Sequence, residues 1–335
     1  MELYLDSVKI DEIKEATALG YLKGLTTTPT FMFRDGIKDI DATILEISKM
    51  VDVLQVEALG KNASEIITEA ERLIHLGLNP QKTVFKIPIS LEGTKACKIL
   101  IDKGLMVNLH LIYTLQQAYM AFCAGATYVC PLVGRLQDQG HDALGLVKDC
   151  VDTVEAYHYP SKVMFSSVRN IEHVKNALNM GAHACTVPWP IMKSLTDNHF
   201  TRIGTDEFLR HTYLLTTKVK DIARKNHIIL GTSATLAEAL LEMTKSRTGA
   251  ILAINGDKTL YRIFTDGDLR RIMEVKRGNI LDTKLSELEP NSPQSISAED
   301  CLLDAQKKFK EVKVDTLVVK EGDEIIGLVD IQDVI

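Results

Sequence analysis

Several features that define other protein classes are absent from this 335-residue sequence. It has no run of about 18 apolar residues, and Met1 to Asp6 read as a strand rather than as a basic and then an apolar segment. The six cysteines include no C-x-x-C pair, and the nine histidines show no metal-ligand spacing. We therefore expect a cytoplasmic protein with reduced cysteines, no metal site and no disulfide framework.

Charge of neither sign is in large excess. The formal net charge of -6 argues against a general nucleic-acid or anionic-membrane binder. It does not exclude a local basic pocket that binds a phosphate. With 45% hydrophobic and 25% charged residues, the chain has an ordinary globular composition, and it is long enough for one large domain and a small one.

Short apolar runs alternate with stretches of helical period in the first part of the chain, which is typical of repeated β-α units and a parallel sheet. Eight runs read as strands: 3–5, 24–26, 53–57, 84–87, 106–111, 128–132, 162–165 and 184–187. Each is followed by a plausible helix. We predict an α/β fold, a (β/α)8 TIM barrel over residues 1–222.

Polar residues fall at or just beyond the carboxyl ends of these strands, where barrel enzymes place their chemistry. They are Asp6, Thr26, Thr27, Thr28, Glu57, Lys86, His110, Arg135, Ser167 and Arg169. Each has an ordinary structural explanation, such as a turn cap, a helix start before Pro29 or a surface charge. Their convergence on one end of the predicted barrel favours a functional site.

Lys86 lies inside the apolar run Val84 to Ile89. Desolvation disfavours the charged form of an amine, so such a position suits a nucleophile that attacks a carbonyl and forms a Schiff base. The alternative is a lysine that extends from the end of an ordinary strand to solvent.

The pattern changes after a helical segment predicted from Thr205 to Lys225. Residues 228–335 read as two copies, at about 228–282 and 283–335, of a unit of strand, helix, two strands and helix. The second copy has a truncated end. We predict a small α+β module in which the two copies pack with pseudo-symmetry.

Five motifs carry a resemblance to a known family over roughly residues 1–220. They are LYLD at 3–6, GLTTTPT at 24–30, VFKIP at 84–88, AGATYVCPLVGRL at 124–136 and SSVRN at 166–170. In order and spacing they resemble the transaldolase family, including its fructose-6-phosphate aldolase branch. The resemblance implies that Lys86 is the Schiff-base lysine and Asp6 the acid/base carboxylate. It also implies that Arg135, Ser167 and Arg169 bind a substrate phosphate.

The resemblance implies a transferase of carbohydrate metabolism that acts on sugar phosphates, as in pentose phosphate chemistry. It also implies that catalysis needs no cofactor. Glu57 matches transaldolases proper, and Leu132 stands where the aldolase branch has a tyrosine. Both favour transfer of a dihydroxyacetone unit, with cleavage of a ketose phosphate as the alternative. Proton transfer by Asp6 and Glu57 through a water fits either reaction.

Two positions depart from the family pattern. Thr28 replaces an asparagine that helps bind the dihydroxyacetone part, and His110 replaces a threonine that orients the catalytic water. One interpretation is a non-standard donor with His110 itself carrying protons, since an imidazole titrates near neutrality. The other is a catalytically silent barrel that serves as a nucleotide sensor or scaffold.

The C-terminal part resembles a pair of CBS modules, and the run IFTDGDLRR at 263–271 carries this resemblance. It implies that Thr265 and Asp268 contact an adenosine-type nucleotide or nucleotide-sugar effector. Because Asp330 takes the threonine position in the second copy, we expect one ligand site rather than two. The alternative is a pair that only mediates dimerisation. Both resemblances imply a homo-oligomer.

Overall fold

Eight parallel strands close into a barrel in the computed structural model, which describes residues 1–225, 228–275 and 279–334. Residues 226–227, between the predicted domains, and 276–278 and 335, within the predicted CBS pair, lie outside the described residues. The chain divides into two compact units, Met1–Asp197 and Asn198–Ile335. The predicted domain bounds, 1–222 and 228–335, stay predictions.

The predicted TIM barrel is confirmed, and all eight predicted strands are present. In chain order the elements are β1 Glu2–Asp6, α1 Ile10–Thr17, β2 Gly24–Thr26, α2 Pro29–Arg34, α3 Ile40–Ser48, β3 Leu54–Glu57, α4 Ala63–Leu76, β4 Thr83–Pro88, α5 Leu91–Asp102, β5 Met106–Ile112, α6 Leu115–Cys123, β6 Tyr128–Pro131, α7 Val133–Gln137, α8 Ala143–Tyr157, β7 Lys162–Phe165, α9 Ile171–Asn179, β8 Ala184–Pro188 and α10 Trp189–Ser194. The strands follow chain order around the barrel, and β1 closes it against β8.

Local sequence explains the helices of the outer ring, and α4 is an example. The side chain of Asn62 caps its start by accepting a hydrogen bond from the backbone N–H of Glu65 at 3.0 Å. Ile66, Ala70 and Leu73 bury one face against the barrel, as a period of 3.6 residues requires. The helix ends at Gly77, whose φ of 124° suits a residue without a side chain.

The inside of the barrel is filled below the predicted site and open above it. Tyr4, Val84, Tyr128, Met164 and Ala184 form one buried cluster in the interior. Because side chains alternate along a strand, residues two positions further along β1 and β4 point into the same interior space. This places Asp6 and Lys86 directly above the packed layer.

Strand β5 has an irregularity next to a predicted site residue. Its pairing with β6 shifts register between His110 and Ile112, and Leu111 between them has a φ of 57°. A left-handed conformation is unfavourable for a leucine, and such strain is concentrated at functional sites. The bulge lets His110 and Ile112 both pair with β6 while one residue is left out of the ladder.

The second unit contains the duplicated module, which confirms the predicted α+β tail. Its elements are α11 His199–Thr216, α12 Val219–Ile222, β9 Ile229–Gly231, α13 Leu236–Ser246, β10 Ala250–Ile254, β11 Leu260–Thr265, α14 Asp266–Val275, a 3₁₀ helix Leu285–Glu287, β12 Ser295–Ser297, α15 Leu302–Val312, β13 Thr316–Glu321, β14 Glu324–Asp330 and a 3₁₀ helix Ile331–Asp333. Each copy has a three-stranded sheet whose middle strand is parallel to the first strand and antiparallel to the third.

The helix predicted from Thr205 to Lys225 is wrong in both bounds. It begins at His199, because Asn198 accepts hydrogen bonds from the N–H groups of Phe200 and Thr201. It ends at Thr216, because the following backbone pairs with the second copy through Leu302 N–H to Thr217 O and Val219 N–H to Asp300 O. No helix in the described part of the chain is long and apolar enough to cross a membrane.

Candidate active site

A cavity of about 810 Å³ opens at the carboxyl ends of the barrel strands. Predicted site residues line it from seven of the βα units: Asp6, Thr26, Thr28, Glu57, Lys86, His110, Arg135, Ser167 and Arg169. The eight-stranded topology brings these side chains together although they are spread over about half of the chain.

Lys86 is the amine of this cavity. Its residue is only 5% exposed, and the side chain is held by two oxygens. Nζ lies 2.9 Å from Oε1 of Glu57 and donates a hydrogen bond of 2.7 Å to the backbone carbonyl of Thr27. The register explains the first contact, because Glu57 on β3 is directly opposite Lys86 on β4.

Glu57 also contacts His110. Its Oε2 lies 2.9 Å from His110 Nε2; both atoms are buried, and neither has a well-aligned hydrogen-bond partner among the described residues. Burial alone would raise the pKa of Glu57, but the Lys86 charge and the His110 ring outweigh burial and lower it.

Burial has the dominant effect on His110. It lowers the pKa of His110 below 6.5, although the Glu57 carboxylate opposes this change. The charges of Lys86 and Arg135 lower the pKa further. The imidazole is therefore neutral at pH 7 and can accept a proton.

Asp6 lies in a separate hydroxyl network at the end of β1. Thr26 Oγ1 donates to Asp6 Oδ1 at 2.8 Å and lies 2.5 Å from Thr186 Oγ1. Burial raises the pKa of Asp6, and the charges of Lys86 and Arg34 with the Thr26 hydrogen bond oppose this rise. Asp6 and Glu57 therefore have pKa values shifted in opposite directions.

Thr27 and Thr28 have structural contacts of their own. The Thr27 hydroxyl donates to the backbone carbonyl of Gln55 at 3.2 Å, and only its carbonyl oxygen reaches Lys86. The Thr28 side chain lines the cavity and caps α2 by accepting from the N–H of Phe31 at 3.3 Å.

Arg135, Ser167 and Arg169 lie on the β6 and β7 side of the cavity. Arg135 donates to the Tyr113 hydroxyl at 3.3 Å, and Arg169 forms an ion pair of 2.6 Å with Asp138. Ser167 has a φ of 60°, a second strained backbone position at the cavity.

Gly134 allows the β6 and β7 loops to approach closely. A Cβ atom at this position would lie 2.2 Å from Ser167 O and 2.8 Å from the Cγ of Arg169. Only a residue without a side chain leaves Ser167 and Arg169 where they are.

Sequence reasoning missed other cavity residues, including Arg34, Asn108 and Thr186. Asn108 lies two residues before His110 on β5, so strand alternation from His110 could have found it, whereas Thr186 lies on β8, a strand that carries no predicted site residue. Arg34 lies a full helical turn beyond the strand end that the pattern singled out. Among the described residues no group of three or more His, Cys, Asp or Glu side chains could hold a metal ion.

Thr265 and Asp268 lie together at the start of α14. Asp268 Oδ2 accepts from the N–H and hydroxyl of Thr265 at 2.9 and 3.0 Å, and Arg271 donates to Oδ1 at 2.8 Å. Burial alone would raise the pKa of Asp268, but Arg271 and the Thr265 hydrogen bonds lower it. A pocket of about 280 Å³ contacts Asp268, with Arg262 and Arg271 beside it.

The second copy has a different arrangement at the corresponding position. Asp330 takes the place of Thr265, and Asp333 takes the place of Asp268. Arg224 donates to both oxygens of Asp333, at 2.8 and 3.1 Å. This bidentate pair occupies the carboxylate that a ligand would need.

Comparison with known families decides the identity of the barrel. The family model described as Transaldolase/Fructose-6-phosphate aldolase matches residues 3–240. The chain belongs to the transaldolase family. A probable transaldolase of Desulforudis audaxviator is 39% identical over 62% of this chain and 96% of its own length. One of Desulforamulus reducens is 36% identical over 65% of this chain and 100% of its own length.

This transaldolase-family chain also carries a CBS domain, whose family model matches residues 219–275. A CBS domain protein of Pyrobaculum aerophilum, solved in complex with AMP, is 22% identical with a TM-score of 0.32. The match covers 35% of this chain and 89% of that one.

Proposed function

We propose that this protein transfers a dihydroxyacetone unit from a ketose phosphate to an aldose phosphate through a Schiff base on Lys86. The observation that carries the proposal is the buried Lys86 amine, 2.9 Å from the Glu57 carboxylate, at the base of a cavity with arginines at its rim. Family membership makes sugar phosphates the expected substrates.

The first step joins donor and enzyme. Lys86 Nζ, having given a proton to the neighbouring carboxylate or to His110, adds to the C2 carbonyl of the ketose. The resulting carbinolamine loses its hydroxyl as water, and a protonated imine remains. Glu57 and neutral His110 lie where they can exchange these protons through one water, because Oε2 and Nε2 both have free bonding capacity.

The second step breaks the bond between C3 and C4. The electron pair moves into the imine and gives an enamine, while the C4 hydroxyl loses its proton and leaves as an aldehyde. Asp6 is the proposed acceptor of that proton, and it returns the proton to the acceptor aldehyde's oxygen when the enamine attacks. The raised pKa of Asp6 makes its carboxylate a better base than an ordinary aspartate.

Arg135, Ser167 and Arg169 are the proposed binding site for the terminal phosphate. Two guanidinium groups bind a phosphate by charge-assisted hydrogen bonds and so fix the position of the reacting carbon. A phosphate would compete with Asp138 for Arg169, since that ion pair is exposed and therefore weak.

Transfer is favoured over cleavage by the apolar side chain of Leu132, which lines the cavity without a hydroxyl. With fewer proton donors nearby, the enamine is protonated more slowly and so remains available to react with an aldehyde. The alternative, cleavage of a ketose phosphate, predicts that product forms without any acceptor.

Borohydride trapping tests the proposal. The protein is incubated with a panel of ketose phosphates, reduced and analysed by intact-mass and peptide mass spectrometry. An adduct on Lys86 supports the mechanism, and product formation with and without an acceptor separates transfer from cleavage. Lys86→Arg must show no adduct while keeping its circular dichroism spectrum. No adduct with any ketose phosphate would favour the silent sensor instead.

We also propose that the first CBS copy binds an adenosine-type nucleotide or nucleotide-sugar at Thr265 and Asp268. The pocket beside Asp268 and its two arginines support a ligand that carries both hydroxyl and phosphate groups. Such an effector would regulate the barrel by binding one of two states more tightly. A homo-oligomer is part of this proposal.

A further inference from the structure

Arg34 is a third arginine at the cavity, and the proposed mechanism gives it no role. It lies in the last turn of α2 and lines the cavity with Asp6, Thr28 and Glu57. Its guanidinium carbon lies 4.8 Å from the centroid of the Phe31 ring, which supports the side chain in place.

The hydrogen-bond donors of Arg34 are unused. Arg169 pairs with Asp138, and Arg135 donates to Tyr113, but no hydrogen bond between described residues involves the Arg34 guanidinium. Asp35 approaches only Nε, at 3.9 Å, so the two terminal nitrogens are free to form a fork. Lys9 also lines the cavity.

The strand order places Arg34 opposite the proposed phosphate site. It follows β2, whereas Arg135 follows β6, and these strands are four positions apart in a closed ring of eight. Lys86 is on β4, midway between them. A ketose joined to Lys86 at C2 with its far phosphate at Arg135 therefore directs its C1 end toward Arg34.

We infer that the donor carries an anionic group at its C1 end, bound by Arg34. This inference rests on the Schiff-base chemistry of the proposed function and narrows its donor. With a ketose bisphosphate the transferred unit is dihydroxyacetone phosphate, whereas a 2-oxo-3-deoxy sugar acid phosphate, whose C1 is a carboxylate, would transfer pyruvate in place of the dihydroxyacetone unit. The two share the chemistry that a guanidinium fork recognises, a pair of anionic oxygens. A neutral C1 hydroxyl would leave the terminal nitrogens of Arg34 without an anionic partner, although its charge would still act on Asp6.

Binding of sugar alcohols tests the inference independently of catalysis, because an alcohol cannot form an imine. Calorimetry compares hexitol 1,6-bisphosphate with hexitol 6-phosphate. We expect the bisphosphate to bind roughly tenfold more tightly, as one charge-assisted contact implies, and the difference to fall to about twofold in Arg34→Gln. Lys38→Gln is the matched control, since it removes an exposed cation outside the cavity.

Kinetics then separates the two kinds of anion. Fructose 1,6-bisphosphate and a 2-oxo-3-deoxy sugar acid 6-phosphate are compared with fructose 6-phosphate as donors. Preference for either anionic donor, lost in Arg34→Gln and partly kept in Arg34→Lys, supports the inference. Equal affinities for the two hexitol phosphates, no binding of either, or an unchanged preference in Arg34→Gln would overturn it. Failure to trap an adduct on Lys86 would instead count against the proposed function, whether or not the hexitol phosphates bind.

Discussion

Glu57 Oε1 lies 2.9 Å from Lys86 Nζ, and both side chains are more than nine-tenths buried. An ionised carboxylate this close offsets part of the cost of burying the lysine charge. Under the proposed mechanism, the same carboxylate is the base that takes the lysine proton before Nζ attacks the donor carbonyl. Glu57 is therefore the side chain whose replacement tests the first chemical step.

Glu57→Gln should slow imine formation while leaving the cavity in place. The amide keeps the size of the side chain but cannot accept the lysine proton, and removal of a positioned base costs roughly 10²–10⁴-fold in rate. Single-turnover trapping with borohydride measures this step directly. Unchanged trapping rates would assign the proton transfer to His110.

His110→Thr should alter the acid side of the pH–rate profile rather than folding. Burial lowers the pKa of His110 below 6.5, so the ring is neutral at pH 7 and is lost as a base only when the pH falls through that lowered value. The wild-type rate should therefore decline at a pH below 6.5, and this decline should be absent or displaced in His110→Thr. An identical profile in both proteins would remove His110 from the mechanism.

Gly134→Ala should weaken binding of phosphorylated substrates. Its Cβ would lie 2.2 Å from Ser167 O, so Ser167 and Arg169 must move. We expect KM to rise about tenfold or more with a smaller change in kcat, because the amine and its carboxylates are untouched. Gly204→Ala is the control, since a Cβ there meets open space. Equal KM values in the two variants would place the phosphate elsewhere.

Asp268→Asn should abolish nucleotide binding, whereas Asp333→Asn should not. Asp268 borders a pocket, but the equivalent Asp333 is occupied by both donors of Arg224. Titration with AMP and ATP by calorimetry should give one nucleotide per chain in the wild type. Two nucleotides per chain, or loss of binding only in Asp333→Asn, would contradict this assignment.

The sequence was sufficient to predict the barrel because each strand is a separate apolar run with a polar residue where it ends. Asp6, Glu57, Lys86 and His110 could be found in this way, since a parallel barrel brings all carboxyl ends to one rim. The duplicated C-terminal module could also be predicted from the sequence, because both copies repeat the same order of elements.

What sequence reasoning missed depends on the path of the chain in three dimensions. The bulge at Leu111 leaves no local signal, because leucine is an ordinary strand residue. Arg34 lines the cavity from the last turn of α2, beyond the strand end that the polar pattern marks. The helix predicted from Thr205 starts too late, although Asn198 is a residue type that favours a helix start and caps α11.

The carbonyl oxygen of Thr27 has a consequence for mutagenesis. The second anchor of Lys86 belongs to the main chain, so no side-chain replacement at position 27 can delete it. An alanine scan will therefore report only the loss of the hydroxyl that binds Gln55 O, and will rank this position as unimportant to the amine. Backbone amide-to-ester exchange, which weakens a carbonyl acceptor without changing any side chain, is the substitution that would expose its contribution.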